Sequence, residues 1–422
     1  YDFCYYWLHR MGHEVGLLWA AHAVHHQSQD YNLSTALRQS SSGMLLGWIF
    51  YLPMALAGVP PLVFVVVGLI DLLYQFWVHT EQIKRLGWFD RWFCAPSNHR
   101  VHHAVNDIYL DKNYGGILII WDRIFGTFKP EDDKEPCVYG TRGLLNSWDP
   151  LWANATVYKQ LAHDSWHTKN WGDKLRVWLK PPGWRPADVE QRFAKPAFDL
   201  QAHRQLFEPA MTPPLRWFCG LQFLALIAGT ALFLWHADGA PLASNLIWFA
   251  VLLTGQWALS AAMQGRIDWP LALMLDAAAL ATATGALNLW QWHQLFKPLT
   301  MVIAIFYVAI TAYHAGSNAQ FNRKPQSLWL LAALVLSAAG DVFLLSPNMF
   351  ITGLVSFLLA HLAYIGLLRL HAPWFASKTA MLLCLLLALS MYVFLWLGGL
   401  PGELRIPVAA YVLVIALMAA QA

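Results

Sequence analysis

After Pro214 the chain runs through eight successive apolar stretches, near residues 217–235, 245–263, 270–288, 298–314, 327–346, 349–370, 378–398 and 406–422. Each is close to the roughly 20 residues one helix needs to cross a bilayer. Hydrocarbon offers the backbone no hydrogen-bond partner, so such segments must satisfy their own peptide groups, as a helix does. The expectation is an all-α, polytopic membrane protein. Composition agrees: 57% of the 422 residues are hydrophobic and 13% are charged, against about 25% charged in ordinary soluble domains. The 23 tryptophans and 15 tyrosines suit a chain with many interfacial anchors. A formal net charge of +3 without a basic tract argues against a nucleic-acid partner. The five cysteines (Cys4, Cys94, Cys137, Cys219 and Cys384) are scattered and form neither a zinc knuckle nor a disulfide framework.

Before Pro214 the pattern differs. An apolar stretch from Met44 to Val78, interrupted by Pro53 and Pro60-Pro61, is long enough for two passes or a re-entrant hairpin. From Lys84 to Pro214 the chain is mixed and polar, with a loop at Lys180-Pro181-Pro182-Gly183-Trp184. Lysines and arginines are frequent between Lys84 and Lys180, which assigns this part to the cytoplasmic side. The chain opens at Tyr1 inside a helix-like stretch and stops at Ala422 inside an apolar run, so further helices are expected beyond both ends.

Nine of the seventeen histidines lie before residue 104. They form His9-x-x-x-His13, His22-x-x-His25-His26, a single His79, and His99-x-x-His102-His103. Spacings of three and four put side chains on one helix face. Imidazole is a good ligand for iron, copper, zinc and nickel, and two metals held by imidazole need about eight or nine rings. Between His13 and His22 an ideal helix turns by roughly 180°. If both clusters serve one centre, the helix must break between them, at Gly12 or Gly16. Unligated polar rings in such number would be costly to bury. A zinc hydrolase would instead carry His-Glu-x-x-His and one distant ligand, a motif that is absent here. Two redox-active metals can share the electrons needed to split O₂, and a site beside the membrane receives a lipid chain directly. Iron is the expected metal.

These residues resemble the fatty acid hydroxylase/sterol desaturase superfamily, with its HxxxH, HxxHH, intervening histidine and second HxxHH. Flanking blocks, among them Ser34-Thr35-Ala36-Leu37-Arg38-Gln39, Gln75-Phe76-Trp77-Val78-His79 and Asp111-Lys112-Asn113-Tyr114-Gly115-Gly116, are similar to the alkylglycerol monooxygenase branch. The resemblance implies hydroxylation of the ether-linked carbon of an alkylglycerol lipid by O₂. The electron donor would be tetrahydrobiopterin and the cofactor two iron ions. The resulting hemiacetal would collapse to a fatty aldehyde and glycerol. His9, His13, His22, His25, His26, His79, His99, His102 and His103 become the metal set. Glu14 falls where the pterin is served, although a carboxylate there equally suits orientation of an imidazole. Asn98 stands where relatives often carry a further histidine. Arg38 and Arg100 are expected to form ion pairs, and Asp2 to be a helix-end acid.

From about Trp290 a second pattern begins. Lys297-Pro298, Gly340-Asp341 and the set Phe357/His361/Tyr364 resemble the YhhN family of membrane proteins, which includes lysoplasmalogenases. The resemblance implies hydrolysis of a vinyl ether bond, with Asp341 and His361 as catalytic candidates, and about five of that family's eight spans lie before Ala422. Three parts are expected: a hydroxylase core at 1–130, a cytoplasmic connector with hydroxylase helices at 131–290, and a YhhN-like domain at 291–422. Two other readings remain open at this point. One is a sterol, carotenoid or fatty acyl hydroxylase or desaturase. The other is a non-catalytic metal- or lipid-binding membrane protein. The membrane would be a bacterial inner membrane or of the endoplasmic reticulum type.

Overall fold

The computed structural model describes residues 1–316 and 324–422. Among these residues there is no strand, only two isolated bridges, Phe93 with Leu118 and Ala104 with Tyr139. The contacts divide the chain into two compact units, Tyr1–Glu208 and Pro209–Ala422.

The first unit is built on short helices. Helices α1 (Asp2–Glu14), α2 (Gly16–Ala20) and α3 (Ala23–His26) follow one another closely. The apolar stretch after them divides into the short segment Gly43–Leu56 and α4 (Pro61–Trp77). Proline at the first position of α4 gives no backbone donor where none is needed. Gly58, at φ 76°, makes the turn between the two arms. Both arms are shorter than any of the eight apolar helices of the second unit. Then come α5 (Pro96–His103), α6 (Pro150–His167) and α7 (Trp171–Leu179). Asp149 and Asn170 cap the last two through side-chain oxygens.

Among the described residues the second unit holds eight helices long and apolar enough to cross a membrane. They are α8 (Pro213–Ala237), α9 (Leu242–Met263), α10 (Trp269–Ala286), α11 (Trp290–Gly316), α12 (Lys324–Leu344), α13 (Phe350–Arg369), α14 (Lys378–Leu397) and α15 (Arg405–Gln421). All eight apolar stretches read from the sequence are helices here. Their contacts use small residues, with Ala258, Ala272, Ala333 and Ala360 fully buried. Helices in lipid gain little from apolar burial and associate through close packing of small side chains. At Gly340 on α12 an added Cβ would sit 2.6 Å from the Phe357 ring on α13.

Candidate metal centre

On α1 the four-residue spacing turns His9 and His13 to one side. The helix then ends. Val15 is extended (φ −123°, ψ 121°), and the Gly16 amide donates to the Lys180 carbonyl at 2.9 Å. A Cβ on Gly16 would lie 3.0 Å from the Val177 carbonyl. The expected break therefore falls at Gly16. Gly12 stays inside α1 and lets the His22 ring approach, 3.7 Å from where its Cβ would be. His22 precedes α3, His25 and His26 lie on it, His79 follows the end of α4, and α5 carries His99, His102 and His103.

All nine rings converge, in two groups. His9, His13, His22, His26 and His102 form one, and His25, His79, His99 and His103 the other, with the ligand nitrogens of each group within 4.8 Å of one another. The two HxxHH motifs contribute reciprocally. The first and last histidine of 22/25/26 join the first group and the middle one joins the second; for 99/102/103 the assignment is reversed. Residues four apart sit only about 40° apart around a helix, whereas the residue between diverges to the other side. One motif thus serves both groups.

The donor chemistry fits metal ions. Nδ1 of His9 is 2.8 Å from the Tyr114 carbonyl, that of His25 3.1 Å from Arg38 O, that of His79 2.7 Å from Gln75 O and that of His102 3.0 Å from Lys112 O. A carbonyl can only accept, so each Nδ1 carries the proton and each Nε2 keeps a free lone pair. The Nε2 atoms of His9, His13, His102 and His103 are buried without a partner. Elsewhere imidazole nitrogens face each other, with His26 and His22 at 3.0 Å, His79 and His25 at 3.2 Å, and His99 and His79 at 3.0 Å. Such spacing is what two ligands about 2.1 Å from one ion would show. Buried polar atoms without partners are costly, and a bound cation would satisfy these together. Burial keeps eight of these rings neutral, as ligands must be. It holds His9, His22, His26, His99, His102 and His103 well below the ordinary histidine value, each also repelled by its neighbours. His25 falls to about 3 and His79 to about 4, both mainly by burial.

The rings are held by polar residues beyond the nine histidines. The segment 111–116 roofs the first group: Lys112 and Tyr114 present their carbonyls to His102 and His9. Asp111 and Asn113 both adopt positive φ, 56° and 58°. The Asn113 side chain donates to the Asn98 and Lys129 carbonyls and accepts from Lys129 N. Buried Asp122 accepts from the amides of Tyr114 and Gly115 and from the Thr127 hydroxyl. Asp71 and Gln75 on α4 and His79 just past its end stand four residues apart in a row, with Gln75 donating to Asp71 and accepting from Tyr5 OH, both at 2.6 Å. The four-residue polar period inside an apolar helix was the available signal.

The other sequence candidates lie as follows. Glu14 turns back to Arg10 (2.8 Å) and stands outside both histidine groups. Asp2 is at the start of α1, but accepts from Ile117 N, Leu118 N and the Trp121 indole, tying the roof segment to α1. Arg100 forms a two-pronged pair with Glu131, 2.7 Å on each arm. Arg38 instead donates to the Val24 carbonyl and Gln27. Asn98 donates to the Asp90 and Phe93 carbonyls. In the second unit Asp341 pairs with Lys297 at 3.1 Å. His361 bonds the Phe357 carbonyl within α13 and packs against Tyr411 at 5.4 Å.

Apolar spans and converging neutral imidazoles define an integral membrane protein with a histidine-rich metal site. Residues 1–127 match the family model described as Fatty acid hydroxylase, and 292–422 match that of the YhhN family, so the chain carries both domains. It is 43% identical over 226 residues to an alkylglycerol monooxygenase of Danio rerio and 42% over 227 residues to that of Homo sapiens, 54% of this chain in each case. The chain spans about half the length of these relatives, the shared part being 50% of each. A lysoplasmalogenase of Mycobacterium bovis is 36% identical over 97 residues, 21% of this chain and 37% of that protein. No solved structure matches the chain. The hydroxylase match and the histidine groups together indicate a site of the non-haem iron type.

Proposed function

We propose that this protein is a dinuclear-iron monooxygenase of ether lipids that hydroxylates the ether-linked carbon of an alkylglycerol and so releases a fatty aldehyde. The observation that carries the reading is the division of nine imidazoles, eight of them buried and His22 partly so, into groups of five and four with nitrogens facing inward. His9, His13, His22, His26 and His102 would hold one ion, and His25, His79, His99 and His103 the other. When bound, the metal pair supplies the oxidising chemistry for O₂ to insert one oxygen into a C–H bond, while two electrons and two protons reduce the other oxygen to water. Backbone carbonyls at Tyr114, Arg38, Gln75 and Lys112 keep four rings in one tautomer and orientation. The alkyl chain would enter through the hairpin. An apolar cavity of about 280 Å³ lies there, lined among others by Trp48, Tyr51, Met54 and Phe64. Tyr1, stacked on Tyr51 at 4.9 Å, is roughly 12 Å from His9 by helical rise.

Tetrahydrobiopterin is the proposed electron donor, with Glu14 facing it. The metal side is proposed as cytoplasmic. The domains are proposed as 1–130, 131–290 and 291–422, the last a lysoplasmalogenase-like hydrolase with Asp341 and His361 as acid and base. The Lys297–Asp341 pair favours that second activity, because ionisable groups at membrane depth mark functional sites. Elemental analysis after anaerobic iron reconstitution, then product identification with a 1-O-alkylglycerol, O₂ and a panel of reductants, tests the reading. Two irons per chain and aldehyde release are expected. A stable hydroxylated sterol, carotenoid or fatty acyl product would replace the substrate class. One metal or none, with no O₂ consumption on any lipid, would leave a binding protein.

A further inference from the structure

A groove in the second unit is used by neither proposed activity. It runs between α8, α9 and α10 with a volume of about 460 Å³, a size common for small-molecule sites. On α8 its wall extends from Gln222 to His236, about 21 Å of helical rise. Leu226, Phe233, Val251, Leu252 and Leu280 make the walls apolar. Two glycines shape its floor. A Cβ on Gly255 would meet Leu226 at 2.9 Å, and one on Gly229 would meet Leu252 at 3.1 Å.

One end is polar. The Gln222 amide donates to Asp276 Oδ2 at 2.6 Å, and both side chains line the groove. Asp276 lies seven residues into α10, well inside an apolar span. A carboxyl there is expensive unless it meets a partner or a cavity, and this one meets both. The bond to Gln222 uses one oxygen. The other, Oδ1, lies 3.4 Å from the Cβ position of Gly255, on the groove side. Among the described residues no lysine or arginine lines the groove, so nothing at its Asp276 end would compensate a phosphate or carboxylate head.

We infer that the groove between α8, α9 and α10 binds a single-chain lipid with an uncharged hydroxyl head, such as a monoalkylglycerol or long-chain alcohol, whose head bonds Asp276 and Gln222. The chain lies along α8 toward His236. The length admits one hydrocarbon chain, and the polar station at Asp276 and Gln222 offers both a hydrogen-bond donor and acceptors.

The test uses the full chain in detergent with a photoreactive, clickable long-chain alcohol, competed by 1-O-alkylglycerol or by an alkylphosphocholine, and mapped by peptide mass spectrometry. Crosslinks are expected on the 222–236 and 248–255 peptides, competed by the alkylglycerol and not by the phosphocholine. Asp276→Leu should weaken competition about 3–10-fold, the worth of a buried hydrogen bond. Gly229→Phe should abolish the crosslinks, and Leu232→Trp, at a more exposed wall position, serves if the former does not fold. Hydrogen-exchange protection of the α8 to α10 peptides reports folding of the second unit in each variant independently of the crosslinking. Crosslinks spread evenly over all eight spans, or unchanged by both filling variants, would overturn the site. Equal competition by the phosphocholine would overturn the uncharged head.

Discussion

The two units are held together by opposite means. In the first, the buried interior is rich in polar groups: nearly all of the nine histidines, with Asp71, Asn98, Arg100, Asn106, Asn113 and Asp122, are shielded from solvent. In the second, the buried positions are mostly alanine, with Gly255 and Gly353 at close contacts. A polar interior is stable only when every donor and acceptor is matched, and bound cations would match the imidazole nitrogens that have no hydrogen-bond partner. A small-residue interface needs only shape. Stability of the first unit should therefore follow metal and pH, and that of the second should follow side-chain volume.

The largest effect expected is loss of a ligand. His25→Ala and His102→Ala, one from each group, should each abolish oxygenase turnover and lower iron per chain. Retained turnover in both would refute the ligand assignment. Next is acid. Burial lowers the histidine values, to about 3 for His25 and about 4 for His79, so the folded unit binds fewer protons than the unfolded chain. Stability is then fully present above the unfolded value near 6.5 and is lost as pH falls toward 4 and 3. Hydrogen exchange on metal-free protein from pH 8 to 4 should show peptides of residues 1–127 losing protection while peptides of α8 to α10 keep theirs. Parallel loss in both would erase the contrast.

The same contrast explains what the sequence disclosed. The eight spans and nine histidines were legible because each is a local pattern, an apolar run or a three-to-four spacing. The need for a break before His22 was legible from helical rotation alone, and Gly16 meets it. The division of each HxxHH between two groups was not legible, because it depends on how α3 and α5 face one another. Nor were the roles of Asp122 and Asn113, whose partners are backbone atoms brought together by the chain's return. Arg38 was expected in an ion pair and instead holds carbonyls, its own carbonyl bonding His25.

On the apolar side, Gly340→Leu should force α12 from α13, since even a Cβ would stand 2.6 Å from Phe357. Overpacking of this kind costs about 1–3 kcal/mol. Protection of α12 and α13 peptides should fall with iron content unchanged; a fall in iron would mean the units are not independently held. Somewhat smaller is Asp122→Ala, which frees the Tyr114 and Gly115 amides and so loosens the carbonyl that orients His9. Removing such support lowers metal affinity about 10–100-fold. Iron titration against a chelator measures it, and unaltered affinity would show that His9 is oriented by α1 alone.

Glu14→Ala should be the smallest structural perturbation and sharpens the comparison most finely. Its pair with Arg10 is a half-buried i,i+4 contact, worth about 0.3–0.5 kcal/mol. Yet Arg10 also reaches Tyr6 OH (3.3 Å), which bonds Thr127, which bonds Asp122. Glu14 is therefore joined to the roof over His9 through a chain of hydrogen bonds, and it also stands beside His13. If the residue serves the electron donor, the variant should need more tetrahydrobiopterin for half-maximal turnover while keeping its iron. If the chain of bonds is what counts, iron affinity and turnover should fall together at every pterin concentration. Measuring both quantities on one preparation separates the outcomes, because only the first leaves the polar interior intact.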